Sequence, residues 1–143
     1  MNNIINDWRP EVGSLIRTLE KHGCRIRGGS NGEEVFGFDS RKCREFIANL
    51  IACDEAWIHL ETLAEPGRER EIYIVLGNNP GELVCDYHCC AEIDAASDEH
   101  NKRWDGRKQP QLTLPVCGVC KRSYYPDYSL RRQINRCLPC CQD

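Results

Sequence analysis

Long hydrophobic runs are missing from this chain. The longest uninterrupted apolar stretch is residues 72–76, far short of a bilayer span. The first ten residues, MNNIINDWRP, hold no apolar core of signal-peptide length, so neither export by a signal nor membrane insertion is expected. Also missing are the Lys-Ser/Thr of a P-loop, the spelling GxGxxG, and GxSxG, HExxH or a paired-aspartate motif. Low-complexity tracts and solenoid-length repeats are absent too, so disorder and repeat architectures are excluded.

Cysteine is abundant instead: there are 11, an odd number. In an exported protein they would suggest a disulfide framework. A chain with no signal is expected in the reducing cytoplasm, where thiols persist and metal ligation becomes the first explanation for a well-spaced subset. Charge is distributed unevenly. Residues 1–111 carry 14 Lys and Arg against 20 Asp and Glu, a balance of −6, whereas residues 112–143 carry 5 against 2, a balance of +3. An acidic body with a basic tip does not suit a general nucleic-acid coat, although local contact stays open.

Periodicity divides the chain the same way. Trp8, Val12, Leu15, Ile16 and Leu19 recur on one helical face, with Asp7 as candidate N-cap, Pro10 in the first turn and Gly23 as the stop. Short strands are expected at residues 24–28 and 34–38, with Gly28, Gly29, Ser30, Asn31 and Gly32 supplying hairpin-turn chemistry. Asp39 or Ser40 should cap a second helix whose buried stripe is Cys43, Phe46, Ile47, Leu50 and Ile51. Strands at residues 56–63 and 71–77 flank the turn at Glu65, Pro66 and Gly67. After a further turn at residues 78–81, a fifth strand is expected at residues 83–87. A third helix over residues 90–105 should bury Ile93, Ala96, His100 and Trp104. Helices before and between tightly connected strands predict an α+β fold with a mostly antiparallel sheet and about three helices. The domain plan is an acidic α+β body at 1–108, a linker at 109–115 whose two prolines break any core pattern, and a separate module at 116–143.

That module carries the clearest chemistry. Cys117 and Cys120 form one CxxC pair, Cys137 and Cys140 another, with sixteen residues between them. Each CxxC turn brings two sulfurs within reach of one cation, and a hairpin brings the pairs together. Four thiolates then make the closed tetrahedral shell of a single structural Zn²⁺, with no open position for activating water. Cys141 is an alternative to Cys140. The segment resembles zinc-ribbon (zinc-finger-type) modules, a likeness confined to about residues 115–143. The chain ends three residues after Cys140, which favours a ribbon over modules whose last ligands sit on a helix. Metal binding to such peptides contributes on the order of 10–16 kcal/mol, enough to fold a segment with almost no core.

Between the knuckles lie Lys121, Arg122, Tyr124, Tyr125, Tyr128, Arg131, Arg132 and Arg136. Cationic side chains attract phosphate and tyrosine rings stack on exposed bases, so this segment suits nucleic acid or a nucleoprotein complex. Tyrosines packing the hairpin, or the ribbon docking on protein, would account for the same residues. In the body, Cys85, His88, Cys89 and Cys90 could seed a second metal site but have no matching partner pair. Whether they bind one stays open, whereas the isolated Cys24, Cys43 and Cys53 are read as core thiols. His59 and Glu61 alternate on one strand face and could form an acid–base pair, with no third group to complete a mechanism. The expected function is a non-enzymatic regulatory or adaptor protein whose zinc-binding tail docks onto nucleic acid or a nucleoprotein complex. The alternatives are a protein-only adaptor or inhibitor, such as an accessory protein of a mobile element, and a small enzyme with its site in the body.

Overall fold

The computed structural model describes residues 3–76, 81–107 and 111–114. In chain order these form β1 (Asn3–Asn6), α1 (Arg9–Lys21), β2 (Cys24–Ser30), β3 (Val35–Gly37), a 3-10 turn (Ser40–Lys42), α2 (Cys43–Leu50), β4 (Glu55–Thr62), β5 (Arg70–Val75), β6 (Val84–Tyr87), α3 (Ala91–Trp104) and β7 (Gln111–Leu114). They divide into two compact units, one within Trp8–Gln109 and one joining Met1–Asp7 to Pro110–Asp143. In the second unit β1 and β7 pair antiparallel, Asn3 opposite Leu114 and Asn6 opposite Gln111. Part of the stretch expected to be a linker is therefore a strand, and its partner comes from the other end of the chain. Residues 116–143, expected to form the ribbon, lie outside the described residues.

The first unit is α+β. Its five strands are ordered β3-β2-β4-β5-β6, every neighbouring pair antiparallel. Period-two alternation gives β4 a strict burial pattern: Ala56, Ile58, Leu60 and Thr62 are buried while the residues between them are half-buried. Ile26 on β2 and Ile72 and Ile74 on β5 extend the same apolar face. Helix α1 packs on β2, and α2 packs on β2, β3 and β4. The buried stripe of α1 is the expected one: Val12, Leu15, Ile16 and Leu19 are all at most 1% exposed. The helix opens on Trp8, not Asp7, and the Trp8 side chain makes no cap bond of its own. The Trp8 indole is buried at this point.

Helix α2 is anchored by Phe46, which meets Phe36 (ring centroids 5.5 Å apart) and Phe38 (4.9 Å) edge to face. Leu50 and Ile51 are buried as expected, whereas Cys43 and Ile47 are only half-buried. Asp39 accepts from the Arg41 N–H at 2.9 Å, capping the 3-10 turn before α2. The hairpin turn lies later than the glycines suggested. Gly28, Gly29 and Ser30 are in β2, paired with Gly37, Phe36 and Val35. The chain reverses over residues 31–34, where the Asn31 Oδ1 accepts from the N–H groups of Glu33 (3.0 Å) and Glu34 (2.9 Å). The two glycines serve close approach: a Cβ on Gly28 would stand 2.5 Å from the Phe36 carbonyl oxygen, and one on Gly29 2.9 Å from that of Trp57.

Helix α3 buries Ile93, Ala96, His100 and Trp104 against α1. A polar seam runs through this contact. Glu11 and His100 are both fully buried and meet at 2.9 Å (Oε2 to Nε2). The same Glu11 oxygen accepts from the Gly81 N–H at 3.2 Å, and the Trp104 indole N–H donates to Ser14 Oγ at 3.1 Å. At the rim of this contact Lys21 and His22 reach Glu99 at 2.8 and 3.2 Å, and these bonds hold its carboxyl below the ordinary glutamate range.

Candidate functional site

The helices cover one face of the five-stranded sheet; the candidate site is the other face. An antiparallel sheet can leave one face in water, and its alternation then reads hydrophobic-in, polar-out. The outward residues of β4 depart from that rule at one position: they are Glu55, Trp57, His59 and Glu61. Cross-strand register sets their neighbours. Trp57 lies opposite Tyr73 on β5 and Ser30 on β2, His59 opposite Glu71 and Gly28, and Glu61 opposite Arg25. Tyr73 in turn lies opposite Asp86 on β6.

The two aromatic rings stack at the middle of this surface, with centroids 5.1 Å apart and planes inclined by 26°. The Tyr73 hydroxyl donates to Glu55, and that bond to a carboxylate raises the phenol above its ordinary pKa. His59 sits between two carboxylates, Nδ1 3.4 Å from Glu69 and Nε2 3.2 Å from Glu71. Glu61 turns away, 3.7 Å from Arg27 and accepting the Gly67 N–H at 2.9 Å. His59 and Glu61 therefore share a face, as their spacing implied, but each is taken up by other partners and they form no acid–base pair. Two shallow grooves of about 620 and 570 Å³ are lined by neither ring of the aromatic pair, one beside Arg25 and Asp39, the other beside Tyr87 and Asn101.

The charges on this face are sorted by strand. Arg25 and Arg27 are both on β2, whereas Glu55, Glu71 and Asp86, joined by Glu69, hold the β4–β6 side. Sequence spacing alone exposed only His59, Glu61 and Trp57. Tyr73, Glu55, Glu69 and Glu71 were missed because their place depends on register between strands. Alternation in β5 could have pointed to Tyr73 and Glu71.

The expected core thiols are corrected by the structure. Of Cys24, Cys43 and Cys53 only the first is buried and the other two are half-buried; of the remaining described cysteines, Cys90 is half-buried and Cys85 and Cys89 are exposed. Cys85 belongs to the outermost strand at a register shift, and Cys89 to the loop before α3, where no layer covers them. Burial raises the Cys24 thiol to about 12, with the charges of Cys90 and Glu92 adding to the effect. The His88 Nδ1 accepts the Glu71 N–H at 3.0 Å. Among the described residues no group of three His, Cys, Asp or Glu side chains is placed to hold a metal ion.

Cys117, Cys120, Cys137, Cys140 and Cys141 lie outside the described residues, as do Lys121, Arg122, Tyr124, Tyr125, Arg131, Arg132 and Arg136. For a zinc ion the fit rests on the donor set: four thiolates in two CxxC pairs are soft ligands of the right number. Among the described residues no helix is long and apolar enough to cross a membrane. Compared with protein-family models, curated proteins and solved structures, the chain matches none.

Proposed function

We propose that this chain is a zinc-stapled, non-enzymatic binding protein of the cytoplasm, an adaptor or regulator. Its C-terminal module docks onto nucleic acid or a nucleoprotein complex. The observation that carries this reading is the pair of CxxC turns, sixteen residues apart, on a segment that is basic and rich in tyrosine. Cys117, Cys120, Cys137 and Cys140 would hold one Zn²⁺, which cross-links the two ends of a segment too short to fold on a core of its own. Lys121, Arg122, Arg131, Arg132 and Arg136 would meet phosphate, and Tyr124 or Tyr125 would stack on a base.

Elemental analysis of the purified protein tests the metal: one zinc per chain is expected, and its loss in the C117S/C137S variant. Titration with a single-stranded RNA oligonucleotide tests the contact. Replacing Arg131 and Arg132 by alanine should weaken binding and reduce the slope of log K against log salt by about 1.4, at about 0.7 per phosphate on a single strand. Metal-free protein would remove the staple. Unchanged affinity and slope would remove the nucleic-acid role and leave a module that docks on protein.

A further inference from the structure

Among the described residues no element covers the outer face of the sheet, and its charge identifies what it would receive. We propose that the outer sheet face, centred on Trp57 and Tyr73, docks an arginine-bearing segment of a basic protein partner. The inference is independent of the zinc module, since every residue it uses lies between Arg25 and Asp86.

Charge complementarity carries the argument. Glu55, Glu69, Glu71 and Asp86 lie around or beside the aromatic pair, and both guanidiniums of the face are set apart on β2. The carboxylates remain open to a partner: the side chains of Glu71 and Glu69 are 44% and 70% exposed. Among the described residues their only ion-pair partner is a histidine held between them, and no Lys or Arg of that face pairs with either. The stacked rings add a half-buried π surface, on which a guanidinium can lie flat while its N–H groups reach carboxylate oxygens. A sheet needs no aromatic pair on its solvated side, where Thr or a charged residue would serve. Phosphate would be repelled here, which rules out nucleic acid as the occupant. Arginine is favoured over lysine because only guanidinium combines ring stacking with a bidentate fork.

The test uses the full-length protein and three probes: a short peptide alternating arginine and serine, its lysine counterpart, and a single-stranded oligonucleotide. Trp8 and Trp104 are buried, so a change in tryptophan emission reports chiefly on Trp57. Calorimetry and emission should show saturable one-to-one binding of the arginine peptide, severalfold weaker binding of the lysine peptide, and salt sensitivity. Glu69→Gln with Glu71→Gln, with folding checked by circular dichroism, should weaken the arginine peptide about tenfold. Tyr73→Phe, which keeps the ring and frees Glu55, should bind the peptide as well as the parent or better.

Absence of saturable binding, or affinity unchanged in the double glutamate variant, would overturn the proposal. So would an oligonucleotide that binds and displaces the peptide from this face. Self-association that the double variant abolishes would make the occupant a second copy of the chain and overturn the assignment to a basic partner. The C117S/C137S variant keeps the two readings apart: peptide binding should persist in it, and its loss there would move the site to the tail.

Discussion

Replacing His100 by alanine should destabilise the body by about 3–5 kcal/mol, a range that follows from what the side chain touches. His100 and Glu11 are both fully buried and joined at 2.9 Å, in the contact between α1 and α3. Removing the imidazole takes a partner from a carboxylate that water cannot reach, worth about 1–3 kcal/mol. It also leaves a void beside Trp104, whose ring centroid is 6.3 Å from that of His100. Such a void adds about 2 kcal/mol where the surroundings cannot collapse. The Gly81 N–H at 3.2 Å still satisfies part of the carboxylate, which holds the total near the lower end.

The decisive comparison is a double-mutant cycle. E11L and H100L each remove one partner of this buried pair, whereas the double variant removes both and roughly conserves volume. Its loss should fall short of the sum of the singles by about 2 kcal/mol. Urea unfolding of the full chain, followed by far-UV circular dichroism, measures all four corners. A single-variant loss below about 1 kcal/mol, or strict additivity, would refute the view that this pair joins the helices.

Gly28→Ala should destabilise by about 1–3 kcal/mol, because its Cβ would lie 2.5 Å from the Phe36 carbonyl oxygen and backbone must move. Gly37→Ala, with nothing within 4 Å of its Cβ, is the control and should stay within about 0.5 kcal/mol; equal effects would sink the close-approach argument. Alkaline stability should depend on Cys24. An unfolded thiol titrates near pH ~8.5, whereas burial raises Cys24 to about 12, so above about pH 9 the unfolded state binds fewer protons. Stability should therefore fall as pH rises through that window, by up to about 1.4 kcal/mol per unit from this group, and Cys24→Ala should flatten the fall. Urea midpoints across that window decide it; identical slopes in the two proteins would show the thiol is not the cause.

The elements of the body were legible where one face alternates against one layer. Period two in residues 56–62 and period 3.6 in residues 12–19 each name a buried side, and the structure buries those sides. Boundaries and turns were less legible because they depend on what lies across the sheet. Gly28 and Gly29 look like a turn when read along the chain. They are strand residues because β3 and β4 approach too closely for any side chain. The pairing of β1 with β7 was hidden for a similar reason. Its strands are four residues each, over a hundred positions apart, and neither carries a periodic signal long enough to read.

The candidate site shows the same limit in chemical form. Spacing along β4 correctly put His59 and Glu61 on one side, yet spacing cannot say which group a side chain meets. In a sheet the nearest neighbours of a residue lie across the ladder, about 5 Å away, while same-face neighbours on its own strand are near 7 Å. His59 therefore belongs chemically to Glu71 and Glu69, and Glu61 to Arg27. That redistribution turns a suspected catalytic pair into part of a charge-sorted surface, with arginines on β2 and carboxylates on β4 to β6. A surface so arranged does not need a cavity, because it discriminates by field and by a stacking platform. On the two proposals above, the same reasoning would give the body and the cysteine-rich tail different partners. Phosphate suits the basic segment between the two CxxC pairs, and is the one ligand class that the carboxylates around Trp57 would reject.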